Sequence, residues 1–120
     1  MLLVNTTLGL IAGASEGEWR GVPFAEPPLG VHRWGPPRPK LGWTGVLNAS
    51  HSGTACVQDP SAIDLHLNRS QLSESCLWLD VWAPPNATHE SSLPVLVWMF
   101  GGAVRMQVGS ASSYLAVAVL

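Results

Sequence analysis

The sequence predicts a strand-rich α/β fold, in which short antiparallel strands come before a strand of a sheet that is buried on both faces. Three observations lead to this prediction: apolar segments spaced by glycines over residues 2–24, an alternating segment at 77–82 and a continuous apolar run at 95–100. Because 47% of the residues are hydrophobic and only 12% are charged, the chain is core-forming sequence rather than disorder.

Residues 2–24 consist of short apolar segments separated by Gly9, Gly13, Gly17 and Gly21. Glycine adopts the backbone conformations that tight turns need, so this spacing suits short strands better than helices. We therefore expect antiparallel strands in this part of the chain.

A proline-rich segment follows, from residue 23 to residue 43. Its prolines remove backbone donors and exclude a regular helix, which predicts an ordered, extended strap on the surface. Low-complexity disorder is the alternative, but Phe24, Trp34 and Trp43 are spaced along the segment as anchors for docking on a core. The prolines are Pro23, Pro27, Pro28, Pro36, Pro37 and Pro39.

The two cysteines, Cys56 and Cys76, flank a polar segment at 57–75 that has no periodicity and predicts a loop. The cysteines could form one bridge. A bridge over this span would constrain the unfolded chain by about 3 kcal/mol.

Two strands are predicted after the second cysteine. Residues 77–82 alternate strictly, which places Leu77, Leu79 and Val81 on one face of a strand. Residues 95–100 form a continuous apolar run rich in β-formers, which predicts a strand buried on both faces.

The predicted buried strand leads directly into Gly101 and Gly102. A backbone without side chains can approach a ligand closely and present its N–H groups to an oxyanion. In ester hydrolysis the carbonyl oxygen gains negative charge in the transition state, and each aimed donor contributes about 2.7 to 4 kcal/mol. Taken alone, two glycines after a strand indicate an ordinary turn more often than an oxyanion site.

Charge and composition argue against several kinds of partner. The formal net charge is −2 and the Lys and Arg residues are scattered, so no basic face is available for nucleic acid. No apolar stretch approaches the roughly 20 residues of a transmembrane helix. We expect no metal, because the histidines lie in predicted loops without ligating spacing, and we expect no cofactor. They are His32, His51, His66 and His89.

N-glycosylation sequons and the cysteine pair indicate an oxidising compartment in which glycans are added. The alternative is that each sequon is a chance match and each cysteine a small buried hydrophobe. The first residues are apolar but lack a positively charged region, so the sequence offers no convincing signal peptide. We expect a secreted protein or one in the lumen of the secretory pathway. The sequons begin at Asn5, Asn48, Asn68 and Asn86.

Several sequence blocks, in their order, closely resemble the type-B carboxylesterase family, which includes the cholinesterases. The most specific are GVPFAEPPLG at 21–30, SESCL at 73–77 and LPVLVWMFGGA at 93–103. The resemblance covers nearly the whole chain. It implies an α/β-hydrolase fold, in which a small antiparallel sheet precedes the first strands of the central sheet. Residues 1–120 would form an incomplete part of this domain that ends before the nucleophile elbow.

The resemblance also implies roles for individual residues. Cys56 and Cys76 would form a disulfide, and Arg33 would pair with Glu74 in a structural salt bridge, the alternative being a surface pair of about 0–1 kcal/mol. Gly102 and Ala103 would give backbone donors to an oxyanion hole whose turn Gly101 shapes. Ser75 departs from the family, which usually has an acidic residue before this cysteine.

A single GxSxG match, at residues 13–17, makes Ser15 a tempting nucleophile. We reject it, because a nucleophile elbow needs a helix after the serine and the following residues exclude one. The catalytic serine, acid and histidine would then all lie beyond residue 120, and Glu16 and Glu18 form a polar turn. Residues 57–75 contain no tryptophan with which to bind a quaternary ammonium, which disfavours a choline substrate.

The predicted function is hydrolysis of a small-molecule carboxylic ester through an acyl-enzyme in the complete protein, with this segment supplying scaffold and oxyanion donors. One alternative is a non-catalytic, cholinesterase-like adhesion domain. Another is an inactive truncated product, which would be poorly stable because strand edges and apolar faces stay exposed. Under each of these three hypotheses we expect the 120-residue chain alone to be inactive.

Overall fold

The computed structural model describes residues 3–59, 68–88, 90–99, 101 and 116–119. Strands and short 3-10 helices make up its regular structure, the latter at Gly30–His32 and Arg69–Gln71. The strands are β1 Leu3–Thr6, β2 Gly9–Gly13, β3 Glu18–Pro23, β4 Val46–Ala49, β5 Ala55–Cys56, β6 Leu72–Ser73, β7 Trp78–Trp82, β8 Val95–Val97 and β9 Ala116–Val119. Within the described ranges, no helix is long and apolar enough to span a bilayer.

The small sheet has the strand order β1-β2-β4. β1 and β2 form the predicted antiparallel hairpin, and the Thr6 hydroxyl closes the turn by donating to the Gly9 carbonyl at 2.7 Å. β4 joins β2 in parallel, so the sheet is mixed rather than purely antiparallel. The sequence pattern did not show β4, because a strand as short as Val46–Ala49 has too few residues for a period.

The larger sheet has the order β3-β7-β9-β8. β3 pairs antiparallel with β7, β7 pairs parallel with β9, and β9 pairs antiparallel with β8. β3 therefore leaves the small sheet to which the glycine spacing assigned it. The turn after β2 is tied to the start of β3 by the isolated Ser15–Glu18 bridge, and beyond this bridge the two strands belong to different sheets.

The core lies between the two sheets. Ile11 of β2, Trp19 of β3 and Ala49 of β4 are buried in one cluster. The Trp19 ring lies directly on Gly13, where an added Cβ would come within 2.9 Å of it. Partly buried side chains from both sheets surround this cluster, namely Val4, Val22, Trp43, Leu47, Val81 and Ala83.

The proline-rich segment is extended, as predicted, but only one of its three expected anchors docks. Trp43 is partly buried against the core, and its indole nitrogen donates to the Leu10 carbonyl at 2.9 Å. Phe24 is half exposed, and Trp34 is 89% exposed with a positive φ of 65°. Without a regular period, the sequence does not indicate which side chains of an extended strap point inward.

The prediction that residues 95–100 are buried on both faces is wrong for the described part of this run. Val95, Leu96 and Val97 of β8 are 60%, 53% and 58% exposed. A strand of this type is buried when helices cover both faces of its sheet, and no α-helix occurs in the ranges that the structure describes. Phe100 lies outside those ranges.

The alternating segment forms β7, as predicted, and Val81 on the predicted face packs against the core. Leu79 and Val81 are only partly buried, whereas Asp80 is 4% exposed. In the predicted loop, residues 69–73 form a 3-10 helix and β6, and residues 60–67 lie outside the described residues.

Candidate active site

The glycine turn follows β8 at the end of the larger sheet. Gly101 is described, and a Cβ built on it meets no atom within 4 Å, so its backbone faces open space. Gly102 and Ala103 lie outside the described residues, and their donor role stays a prediction. Trp98 and Met99, the two residues that follow β8 and precede the turn, are exposed.

Strand registers show what shares this end of the sheet. Val97 of β8 lies opposite Val117 of β9, which lies opposite Val81 of β7. β7 and β8 run in opposite directions. The first residue of β7, Trp78, therefore lies at the same end of the sheet as Gly101. β3 also ends there, since its last residue, Pro23, pairs with Trp78.

A disulfide joins Cys56 and Cys76, with an S–S distance of 2.00 Å. It connects β5 to the segment that enters β7. Next to it the Thr54 hydroxyl donates to the Ser75 carbonyl at 2.6 Å. These two contacts fix the segment that enters β7 to β5 and the residue before it.

Two ion pairs hold the proline-rich strap. Arg33 Nε donates to Glu74 Oε1 at 2.6 Å, but the two side chains are 46% and 41% exposed, so the pair contributes no more than about 1 kcal/mol. Lys40 donates to Glu26 Oε1 at 2.8 Å. The Leu41 N–H bonded to the same oxygen, together with the Lys40 ammonium, holds the pKa of the Glu26 carboxyl below its usual range.

Ser15 lies in an exposed turn between β2 and β3, where its hydroxyl donates to Glu18 Oε2 at 3.1 Å. A strand follows it, whereas a nucleophile elbow requires a helix. Its only described side-chain partner is a carboxylate that accepts several other hydrogen bonds. These features do not activate a serine.

Glu18 differs from its predicted place in a polar turn, since it is the first residue of β3. Arg20 donates to its carboxylate from Nε at 2.7 Å and forms an ion pair with it, and the Trp82 indole donates at 3.3 Å. The Arg20 hydrogen bonds, chiefly, hold the pKa of Glu18 below its usual range, despite some opposing desolvation. Glu18 therefore ties β3 to the end of β7, and it is an acceptor rather than an acid or base.

The sequence reasoning overlooked a serine and a histidine in contact. Ser50 Oγ and His51 Nδ1 are 2.7 Å apart, the distance of a nucleophile and its base. The two are consecutive residues after β4, His51 is exposed, and among the described residues no carboxylate bonds to its ring. The contact is a local turn interaction.

The sequence reasoning assigned no metal site to the remaining histidines. His32 lies in a 3-10 helix, while His66 and His89 fall outside the described residues. In the part of the chain that the structure describes, no group of three or more metal-ligating side chains occurs.

Asp80 is the buried charged residue of the described chain, and sequence reasoning gave it no role. Its Oδ1 accepts from the Gly21 N–H and its Oδ2 from the Ser52 hydroxyl, both at 2.7 Å. The carboxylate thus joins β7 to β3 and to the loop after β4. The sequence did contain a sign of this role, because Asp80 is an acidic residue within a predicted strand of otherwise apolar residues.

Residues 2–119 match the family described as the Carboxylesterase family. The chain belongs to this family. It is 43% identical to Carboxylesterase 1E of Mus musculus over 103 residues, which cover 78% of the chain and 18% of that relative. It is 36% identical to the para-nitrobenzyl esterase of Bacillus subtilis (strain 168) over 116 residues, which cover 93% of the chain and 23% of that relative.

The carboxylesterase likeness extends to three-dimensional structure. A solved PNB esterase superposes with a TM-score of 0.78 at 37% identity, covering 90% of this chain and 23% of that one. A thermophilic PNB esterase gives the same values. These comparisons confirm the predicted family and fold class. The chain spans 18% to 23% of the length of these carboxylesterases, so it represents one part of their architecture.

Proposed function

We propose that the complete polypeptide is a serine carboxylic-ester hydrolase and that this segment supplies its scaffold and oxyanion donors. The observation that carries the proposal is the carboxylesterase match, which continues through β8 and the glycine turn. Relatives named as esterases, including a cocaine esterase of Homo sapiens, support a small-molecule carboxylic ester as substrate.

In this mechanism a serine from beyond Leu120 attacks the ester carbonyl, and a histidine oriented by an acid takes its proton. The backbone N–H groups of Gly102 and Ala103 then stabilise the negative charge on the carbonyl oxygen, while Gly101 leaves room for the turn. Each donor contributes about 2.7 to 4 kcal/mol to the barrier reduction. The histidine gives this proton to the departing alcohol, and it then activates the water that hydrolyses the acyl-enzyme and frees the serine.

A segment exchange tests this proposal. The 120 residues replace the matching part of the Bacillus para-nitrobenzyl esterase, and hydrolysis of a para-nitrobenzyl ester is measured. We expect the chimera to be active and the 120-residue chain alone to show no turnover above background. Turnover by the isolated chain that disappears in Ser15→Ala would overturn the proposal, and a folded but inactive chimera would contradict the scaffold role.

We also propose that the protein is a glycoprotein of the secretory pathway. The disulfide supports an oxidising compartment, and Asn5, Asn48, Asn68 and Asn86 are all exposed. Asn86 lies in the turn after β7, and Asn48 Oδ1 accepts the Ser50 N–H at 3.0 Å. Expression in mammalian cells, with glycosidase digestion and single Asn→Gln variants, tests this directly. A product whose mobility glycosidase leaves unchanged would contradict it.

A further inference from the structure

The proline-rich strap contains a loop whose two ends are tied together. The Glu26 N–H donates to the Arg38 carbonyl at 2.9 Å. On the same side, Glu26 Oε1 accepts from the Lys40 ammonium and from the Leu41 N–H, both at 2.8 Å. Residues 27–37 are therefore a loop with both ends fixed to each other.

Backbone hydrogen bonds also hold the tip of this loop, which consists of residues 29–35. The N–H groups of His32, Arg33 and Gly35 donate to the carbonyls three residues earlier, at 3.0, 3.2 and 3.1 Å. The Arg33 side chain adds a link to Glu74 at 2.6 Å. The loop tip thus has a defined conformation, and this conformation decides which of its side chains face solvent.

The loop tip exposes its apolar side chains. Val31 is 93% exposed, Trp34 is 89% exposed and Leu29 is 44% exposed. Trp34 also has a positive φ of 65°, which strains the backbone of a bulky residue, and burial of its indole does not offset this strain. Single exposed apolar residues are common on proteins, whereas three within one fixed turn form a patch of the kind that binds a partner.

The charge around this patch indicates an anionic partner. Residues 26–40 contain three basic residues and one acidic residue, a net charge of +2, whereas the whole chain has −2. Two of the three basic side chains are paired with carboxylates, but Arg38 is exposed and none of the described carboxylates pairs with it. The Arg33 guanidinium lies 4.5 Å from the centroid of the Trp34 ring, so positive charge also adjoins the exposed indole.

We propose that the loop tip docks the protein on an anionic phospholipid surface. Trp34 and Val31 enter the boundary between headgroups and acyl chains, and Arg33 and Arg38 face the lipid phosphates. Tryptophan suits this boundary because its ring is apolar and its indole N–H reaches the polar headgroups. Docking of this kind fixes where the protein lies and does not depend on ester hydrolysis.

Co-sedimentation of the 120-residue chain with lipid vesicles tests the docking. We expect binding to vesicles of phosphatidylcholine and phosphatidylserine, weaker binding to pure phosphatidylcholine, and release as the salt concentration rises. Trp34→Ser should weaken binding at least about tenfold, because the indole no longer leaves water. Arg38→Gln should weaken binding to the mixed vesicles and leave binding to pure phosphatidylcholine unchanged.

A matched pair of valines separates the loop tip from other exposed apolar surface. Val31→Ser should weaken binding about five- to tenfold, whereas Val95→Ser, at a 60% exposed position of β8, should leave it unchanged. Both side chains are exposed, so neither variant should disturb the fold. Equal losses in the two variants would overturn the proposal, as would no binding of the mixed vesicles by the native chain.

The esterase chimera tests whether the loop tip is free in a complete domain. We expect the chimera to bind the mixed vesicles more tightly than the parent Bacillus esterase does, and Trp34→Ser to abolish the difference. A folded chimera that binds no better than its parent would overturn the proposal, because the rest of the domain would then cover the tip. A dimer of the native chain that dissociates in Trp34→Ser, without vesicle binding, would overturn it in favour of a second copy.

Discussion

The buried carboxylate of Asp80 makes the sharpest stability prediction. In Asp80→Ala both of its 2.7 Å hydrogen bonds are lost. The Gly21 N–H then stays buried without a partner, which costs about 1–3 kcal/mol, and the loss of the bond from Ser52 adds about 1 kcal/mol. We expect the free energy of unfolding to fall by about 2–4 kcal/mol, a large part of the 5–15 kcal/mol typical of a domain.

Asp80→Asn is the matched control, because it keeps the shape and both hydrogen-bond positions. Its amide oxygen can accept from Gly21 and its amide nitrogen can donate to the Ser52 oxygen, so the expected loss is below about 1 kcal/mol. Urea unfolding followed by tryptophan fluorescence measures both variants. If the Asn variant were as unstable as the Ala variant, the negative charge rather than the hydrogen bonds would hold β3 to β7.

Three further perturbations test other parts of the fold. Replacing Cys56 and Cys76 by serine should lower the free energy of unfolding by about 3 kcal/mol, from the 20-residue separation, as measured in urea. Gly9→Ala should lower the melting temperature, because the new Cβ would come within 2.7 Å of Trp43 at a positive φ. Glu18→Gln should weaken the acid dependence of stability: the depressed pKa stabilises the fold above pH 4.5, and this contribution is lost as the pH falls below that value.

Each of these changes has a control in the same chain. Reductant should destabilise the native chain and leave the serine double variant unchanged. Gly45→Ala also places a side chain at a positive φ, but in open space, so its loss should be smaller than that of Gly9→Ala. Ser15→Ala removes a smaller contribution to the lowered pKa of Glu18 and keeps Arg20, so it should change the pH profile less than Glu18→Gln does. If a change and its control had equal effects, the contact named in that prediction would not be what stabilises the fold.

Sequence alone predicted most of what is local in this molecule. The glycine-spaced hairpin, the extended strap and the strand at 78–82 follow from short-range backbone preferences, and these appear in the structure. Pairing between distant strands was not predictable in this way. β3 joins β7 rather than β2 because of cross-strand contacts about 60 residues apart, such as the bond between Gly21 and Asp80.

Burial was predicted least well, for a physical reason. A run of hydrophobic residues shows that a strand can be buried. Whether its side chains are buried depends on the helices or sheets that pack against it. β8 is apolar and exposed, and Asp80 is polar and buried because two donors converge on it. The Cys56–Cys76 pairing came from family resemblance, since spacing left it open, and the donors at Gly102 and Ala103 stay a prediction.

The oxyanion role of the glycine turn is the central claim, and removal of one donor tests it most directly. In the esterase chimera, Ala103→Pro deletes a backbone N–H, whereas Ala103→Gly keeps it. We predict that Ala103→Pro lowers kcat by about 10²- to 10³-fold with little change in KM, and that Ala103→Gly loses far less. Equal kcat values for a folded proline variant and the glycine variant would contradict the assignment.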